Sequence, residues 1–196
     1  MTTTQTSIDW TSALVDQAAR HWTNQLRPRL EGLTDEEYLW EPAPGSWSIR
    51  PRHEATSSHA AGAGELVMDY AWPEPEPAPL TTIAWRIAHV VVGCFAERTG
   101  NHFGGEAADY QRWTYAATAA QAISQLDTAY AAWSAGVATL GEKGLARRVG
   151  PAEGLWAESP YADLVLHINR ELIHHGAEIC LLRDLYRATH TSEESS

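Results

Sequence analysis

The feature that most constrains the fold is SPYADLVLHINRELIHHGAEICLLRDLYR, residues 159–187. Ser159 reads as an N-cap and Pro160 as the first helical residue, and the helical period then runs to Arg187. A helix of that length can bury its apolar stripe only against other elements. Three more segments carry helical signals. Residues 8–30 place Trp10, Leu14, Ala18 and His21 near one stripe, with Asp9 as cap and Pro28 kinking or ending the last turn. Residues 81–100, capped by Thr81 or Thr82, are apolar on nearly every side and read as the central helix. Residues 118–140 open on Thr118 with Gln121 as a capping box. No segment alternates with period two for more than a few residues, and there is no internal repeat. The expectation is all-α: a four-helix bundle of helices 8–30, 81–100, 118–140 and 160–188 in a single domain, 1–196. A loop insertion fills 31–79 and ends in the extended, polyproline-like WPEPEPAP. A second long loop spans 100–115, and the SEESS tail reads as frayed.

Charge and composition narrow the function classes. A net charge of −11 and a pI near 5.2 argue against nucleic-acid or anionic-membrane partners. The N-terminal MTTTQTSIDW has neither a basic nor an apolar signal region, and no apolar run is long enough to span a membrane. Only Cys94 and Cys180 are present, so a disulfide framework is excluded and a cytoplasmic setting fits.

Helix 160–188 carries an anomaly. Projected at about 100° per residue from Glu171, Leu164 and Leu182 fall about 20° away and Leu185 about 40° away, which marks the core stripe. On that stripe lie His167, Glu171, His174, His175 and Glu178, while Asn169, Arg170, Gly176, Arg183, Asp184 and Arg187 take the face expected to be solvated. A buried carboxylate without a partner costs several kcal/mol. Either a hydrogen-bond network or a metal ion can offset that cost. Glu171 and His175 are spaced i,i+4 and can converge on one point. His89, the one histidine in the apolar run WRIAHVVVG, can meet them from the second long helix. Trp85 one turn earlier offers an aromatic wall, and Gly93 one turn later leaves space beside the imidazole. A His₂Glu set with an open position is the pattern of catalytic zinc.

These residues resemble the DinB-like superfamily of metal-binding four-helix bundles, in the branch of mycothiol-dependent maleylpyruvate isomerase and the thiol S-transferases. LEGLTDEEYLWEPAPGSWSIRP is similar to the linker after the first helix, TTIAWRIAHV to the region of the first ligand, and NRELIHHGAEICLLRDLY to the fourth-helix motif. The resemblance implies that His89, Glu171 and His175 are metal ligands, and that the bundle runs up-down-down-up. His174, His167 and Glu178 become supporting or pocket-lining residues. Trp85, His21 and Trp10 are candidates for the substrate pocket; His53 and His59 match no role and read as exposed. It further implies a divalent metal, zinc first with nickel, iron or manganese as alternatives, and a low-molecular-weight thiol as cosubstrate acting on a small molecule. Cys94 and Cys180 lie off the ligand-facing stripes and take no part. A homodimer fits the family. Two rival readings keep the same residues: a non-catalytic bundle for sensing or sequestration, and a metal-assisted hydrolase with Glu171 as base.

Overall fold

The computed structural model describes residues 8–55 and 57–190, so the expected frayed tail lies outside the described residues. Helix α1 starts at Trp10–His21, where the Asp9 side chain accepts from Ser12 N–H. It passes through a π-helical segment, Trp22–Leu26, into the turn Arg27–Arg29. Pro28 lies in the last turn, and the helix ends one residue later, at Arg29. Pro28 has no N–H to give and its ring crowds the preceding turn, and the helix accommodates it by widening, with Arg27 N–H reaching back to the Trp22 carbonyl.

The insertion is more ordered than its sequence pattern suggests. It holds a short helix, α2 (Asp35–Leu39), capped by Thr34, and an antiparallel pair of strands, β1 (Ile49–Pro51) and β2 (Leu66–Met68). Ile49 pairs with Met68 and Pro51 with Leu66. Three-residue strands are too short to show a period of two, so they were invisible to periodicity. The insertion is stitched to the start of the next helix by Thr82 N–H to the Trp47 carbonyl (2.9 Å) and by the Ser48 and Thr82 hydroxyls (3.0 Å). The proline-rich stretch before it is exposed and has no regular structure.

Helix α3 comprises Ile83–His89, a π-helical stretch Val90–Ala96 and Glu97–Phe103. Thr82 is its cap, and Gly104, at φ 77°, ends it in the left-handed conformation that a glycine adopts without a Cβ clash. Helix α4 (Ala119–Ala138) is capped by Thr118, whose hydroxyl accepts from Gln121 N–H. The Gln121 side chain accepts from Ala117 N–H, one residue before the position a capping box would use. A short helix α5 (Gly141–Leu145), a 3₁₀ segment (Pro151–Trp156) and α6 (Tyr161–His190) complete the order.

Helix α1 packs against α4 and α6, and α3 packs against the same two. The core between them is built from Ile87, Phe95, Leu126, Trp133, Ile168, Leu172 and Ile179, all nearly or wholly out of solvent. Arg29 at the end of α1 pairs with Asp184 late in α6. His102 near the end of α3 meets the Tyr161 hydroxyl at the start of α6 (3.0 Å), and Phe103 packs on Gly136 late in α4.

The buried face of α6 is rotated from the one its sequence predicts. Its buried residues are Tyr161, Leu164, Val165, Ile168, Asn169, Leu172, His175, Gly176, Ile179 and Arg183. The centre of burial therefore lies roughly 90° from Glu171, which sits at the edge of the stripe and not in its middle. Leu185, expected in the core, is 43% exposed, and His174 is exposed too. Asn169, Gly176 and Arg183, expected in solvent, face α1 and the chain that follows it. Asn169 donates to the Leu14 carbonyl (2.9 Å), Gly176 admits the ring of His21, and Arg183 pairs with Glu37. The cause is that α6 packs on two neighbours at once, so its buried arc is wider than one apolar stripe and is closed at one edge by polar residues with partners.

Candidate metal centre

His89 stands at the end of the first α-helical part of α3, where the π-helical stretch begins. Its Nδ1 lies 2.7 Å from the Tyr110 hydroxyl. That contact exists because residue 93 is glycine: a Cβ there would come within 2.0 Å of the Tyr110 oxygen. The space beside the imidazole that the sequence suggested is thus filled by Tyr110. On its other side His89 stacks on Trp85, with ring centroids 5.6 Å apart and planes at 15°. Trp85 is itself held by its indole N–H donating to the Asp69 carbonyl at 2.8 Å, so the insertion fixes one wall of the site. Burial, with the His175 ring second and the Arg86 charge third, pushes the His89 imidazole down to about 3. It is therefore neutral at physiological pH, which is the state a metal ligand needs.

His175 meets His89 edge to face at 4.7 Å between centroids. Its Nε2 is 3.2 Å from Glu171 Oε2, and its Nδ1 is 2.7 Å from Glu178 Oε2. A neutral imidazole has one N–H and one lone pair. With carboxylates at both nitrogens, one edge of His175 faces an acceptor that it cannot satisfy without a second proton or an intervening cation. With the proton on Nδ1, His175 donates to Glu178 and leaves its Nε2 lone pair turned to Glu171.

The ligand atoms of His89, Glu171 and His175 all lie within 4.8 Å of one another. Both imidazoles have Nδ1 engaged, by Tyr110 and by Glu178, so each offers Nε2. Outer partners of this kind orient ligands and raise their basicity. The donor set fits a divalent ion of the zinc class, with two imidazoles, one carboxylate and an open position. Glu178 and His167 stand beside the three, with His167 Nδ1 3.6 Å from Glu171 Oε1. His174 is 3.3 Å from Glu178 and largely in solvent.

Other candidates lie elsewhere. His21 is buried against Gly176 on the flank of α6 turned to α1, its Nδ1 bonded to Gln25. Trp10 is 56% exposed at the first turn of α1. His53 and His59 are exposed, as read from the sequence. Cys94 is buried, and burial followed by the Glu171 charge pushes its thiol up to about 12.

Two neighbours of the site escaped the sequence. Tyr110 had no signal beyond Gly93 standing one turn after a buried histidine. Arg86, whose Nε is 3.1 Å from Glu178 Oε2, has nothing in its sequence position that marks it as a neighbour of the site. A cavity of about 490 Å³ adjoins the site through His167, lined also by Arg98, Val149, Glu153, Trp156 and Leu164. No helix among the described residues is long and apolar enough to cross a membrane.

No curated protein and no solved structure matches the chain. The family model of the DinB superfamily matches residues 54–179, a span that holds His89, Glu171 and His175 and more than half of the sequence, and the chain belongs to that superfamily.

Proposed function

We propose that the protein binds one divalent ion, zinc in the first place, at His89, Glu171 and His175, and uses it to activate a low-molecular-weight thiol of the mycothiol type for S-transfer or isomerisation. The observation that carries this reading is the convergence of three donors with the far nitrogen of each imidazole already held. The superfamily is metal-binding, which agrees with it. A divalent ion there supplies a Lewis acid that favours the thiolate near neutral pH. His89 and His175 hold their Nε2 atoms toward a common point, Tyr110 and Glu178 keep the rings from turning, and Trp85 keeps water from one face of His89. The cavity beside His167 has room for a small electrophile, with Leu164, Val149 and Trp156 as its apolar wall. Glu171 sits 3.2 Å from a ligand nitrogen, which favours a ligand role over that of a general base acting at a distance.

The end contacts of the helices support the up-down-down-up order that goes with this family. Arg29 meets Asp184 near the C-terminal ends of α1 and α6, Phe103 meets Gly136 near those of α3 and α4, and His102 late in α3 meets Tyr161 at the start of α6, contacts that agree with this order.

Metal analysis of protein purified without added metal tests the first step, with His89→Ala and Glu171→Ala beside it. Turnover of a model electrophile with and without a supplied thiol tests the second. About one equivalent of metal and strictly thiol-dependent conjugation are expected. Metal without thiol-dependent turnover would instead favour storage, sensing or hydrolysis.

A further inference from the structure

His175 belongs to two overlapping ligand groups. The inner one is His89, Glu171 and His175; the outer one is His174, His175 and Glu178, whose ligand atoms also lie within 4.8 Å of one another. The outer group is the easier to reach, since the His174 side chain is 63% exposed. Each group contains two imidazoles and one carboxylate, so ligand type does not favour either. A neutral imidazole has a single lone pair. An ion can therefore take His175 through Nε2 on the inside or through Nδ1 on the outside, and not both.

Arg86 breaks the tie. It lies on α3 three residues before His89, with its guanidinium 5.2 Å from the centre of the Trp85 ring. Its Nε is 3.1 Å from Glu178 Oε2, the same oxygen that lies 2.7 Å from His175 Nδ1, and its Nη1 is 3.5 Å from that nitrogen. The Nδ1 edge of His175 is thus occupied in either tautomer, by the Glu178 acceptor or by the Arg86 donor. A fixed guanidinium charge also stands against the only carboxylate of the outer group. A second cation at that distance is strongly disfavoured. Among the described residues Glu171 has no such partner: its oxygens face His175 and His167.

We propose that Arg86 is a selectivity residue, closing the outer group to cations and directing a divalent ion to the inner one; without its charge the protein gains a surface metal site at His174, His175 and Glu178. This rests on reading the inner triad as a metal centre. Co²⁺ titration of the full chain, by calorimetry and visible absorption, tests it in wild type, His89→Ala, the double variant His89→Ala/Arg86→Met, and that double variant with His174→Ala added. Methionine keeps an unbranched stem over Trp85 and removes the charge. His89→Ala alone is expected to weaken Co²⁺ binding by roughly 100-fold. Adding Arg86→Met is expected to restore roughly 10-fold of it, and His174→Ala to abolish the gain. A gain that His174→Ala abolishes is specific to the outer group, whereas Co²⁺ taken up by a misfolded chain would not depend on that one histidine. A double variant that binds no tighter than His89→Ala, or a gain that survives His174→Ala, would overturn the role of Arg86. A wild-type protein that takes up no Co²⁺ would overturn the metal centre itself.

Discussion

Arg183 and Glu37 lie face to face in the interior, Nε to Oε1 at 2.7 Å and Nη2 to Oε2 at 2.9 Å, with 1% and 4% of their side chains exposed. Arg183 also donates to the carbonyls of Arg29 and Glu31, so one guanidinium ties the end of α1, the start of the insertion and α6 together. Truncating one partner leaves a buried charge and several unpaired acceptors. Arg183→Ala is expected to cost about 3–5 kcal/mol in urea unfolding, and Glu37→Ala a similar amount. A loss below about 1 kcal/mol, the range of an exposed pair, would mean that water reaches the pair.

Tyr110 and Gly93 form one device. Gly93→Ala puts a methyl where the Tyr110 oxygen stands and must displace it; Tyr110→Phe removes the partner of His89 Nδ1. Each is expected to weaken metal binding by roughly 10–100-fold while the far-ultraviolet circular dichroism keeps its helical form. Competition with a chelating dye reads the affinity. Unchanged affinity in both variants would show that His89 needs no outer support.

Metal removal should be visible in stability. An ion that binds only the folded chain adds RT ln(1 + [L]/Kd), about 2.7 kcal/mol at a hundredfold excess over Kd. Dialysis against a chelator is expected to lower the melting temperature by several degrees, reversed by added Zn²⁺. In Glu171→Ala and His89→Ala the chelator should have little further effect.

Alkaline pH should destabilise the fold through groups kept protonated by burial. The Cys94 thiol is pushed from 9.0 up to about 12, and burial also raises Tyr38, Tyr110 and Tyr115. In the unfolded chain these groups lose their protons first, so the folded state binds more protons and stability falls as pH rises. The contribution is whole below pH 9 and declines above it, by up to about 1.4 kcal/mol per pH unit for each group. Denaturation at pH 8, 9.5 and 10.5 measures the slope, and Cys94→Ala should make it shallower. Native Cys94 should also resist alkylation that the unfolded chain accepts; rapid labelling of it in the folded protein would contradict its burial.

How much of this could be read from residues alone differs by element. Asp9, Thr82 and Thr118 announced three helix starts, because a cap acts on its own backbone within a few residues. His89, Glu171 and His175 were legible as polar groups on apolar helices, and the bundle brings them together. The face of α6 was misplaced, because a helical period defines directions around an axis but not which neighbour lies in each. His21, Asn169 and Arg183 became interior residues only through α1 and the insertion.

By itself, then, the sequence determined the local matters: long helices, their caps, and which side chains could act as donors, all of which depend on residues a turn or two apart. The tertiary structure alone decided which donors converge, that Tyr110 fills the gap over Gly93, that Arg86 guards one edge of His175, and that Arg183 is buried. Those outcomes depend on pairings between residues far apart in the chain, 146 positions in the case of Glu37 and Arg183. The free energy of such a contact exists only once the helices have packed and water has left.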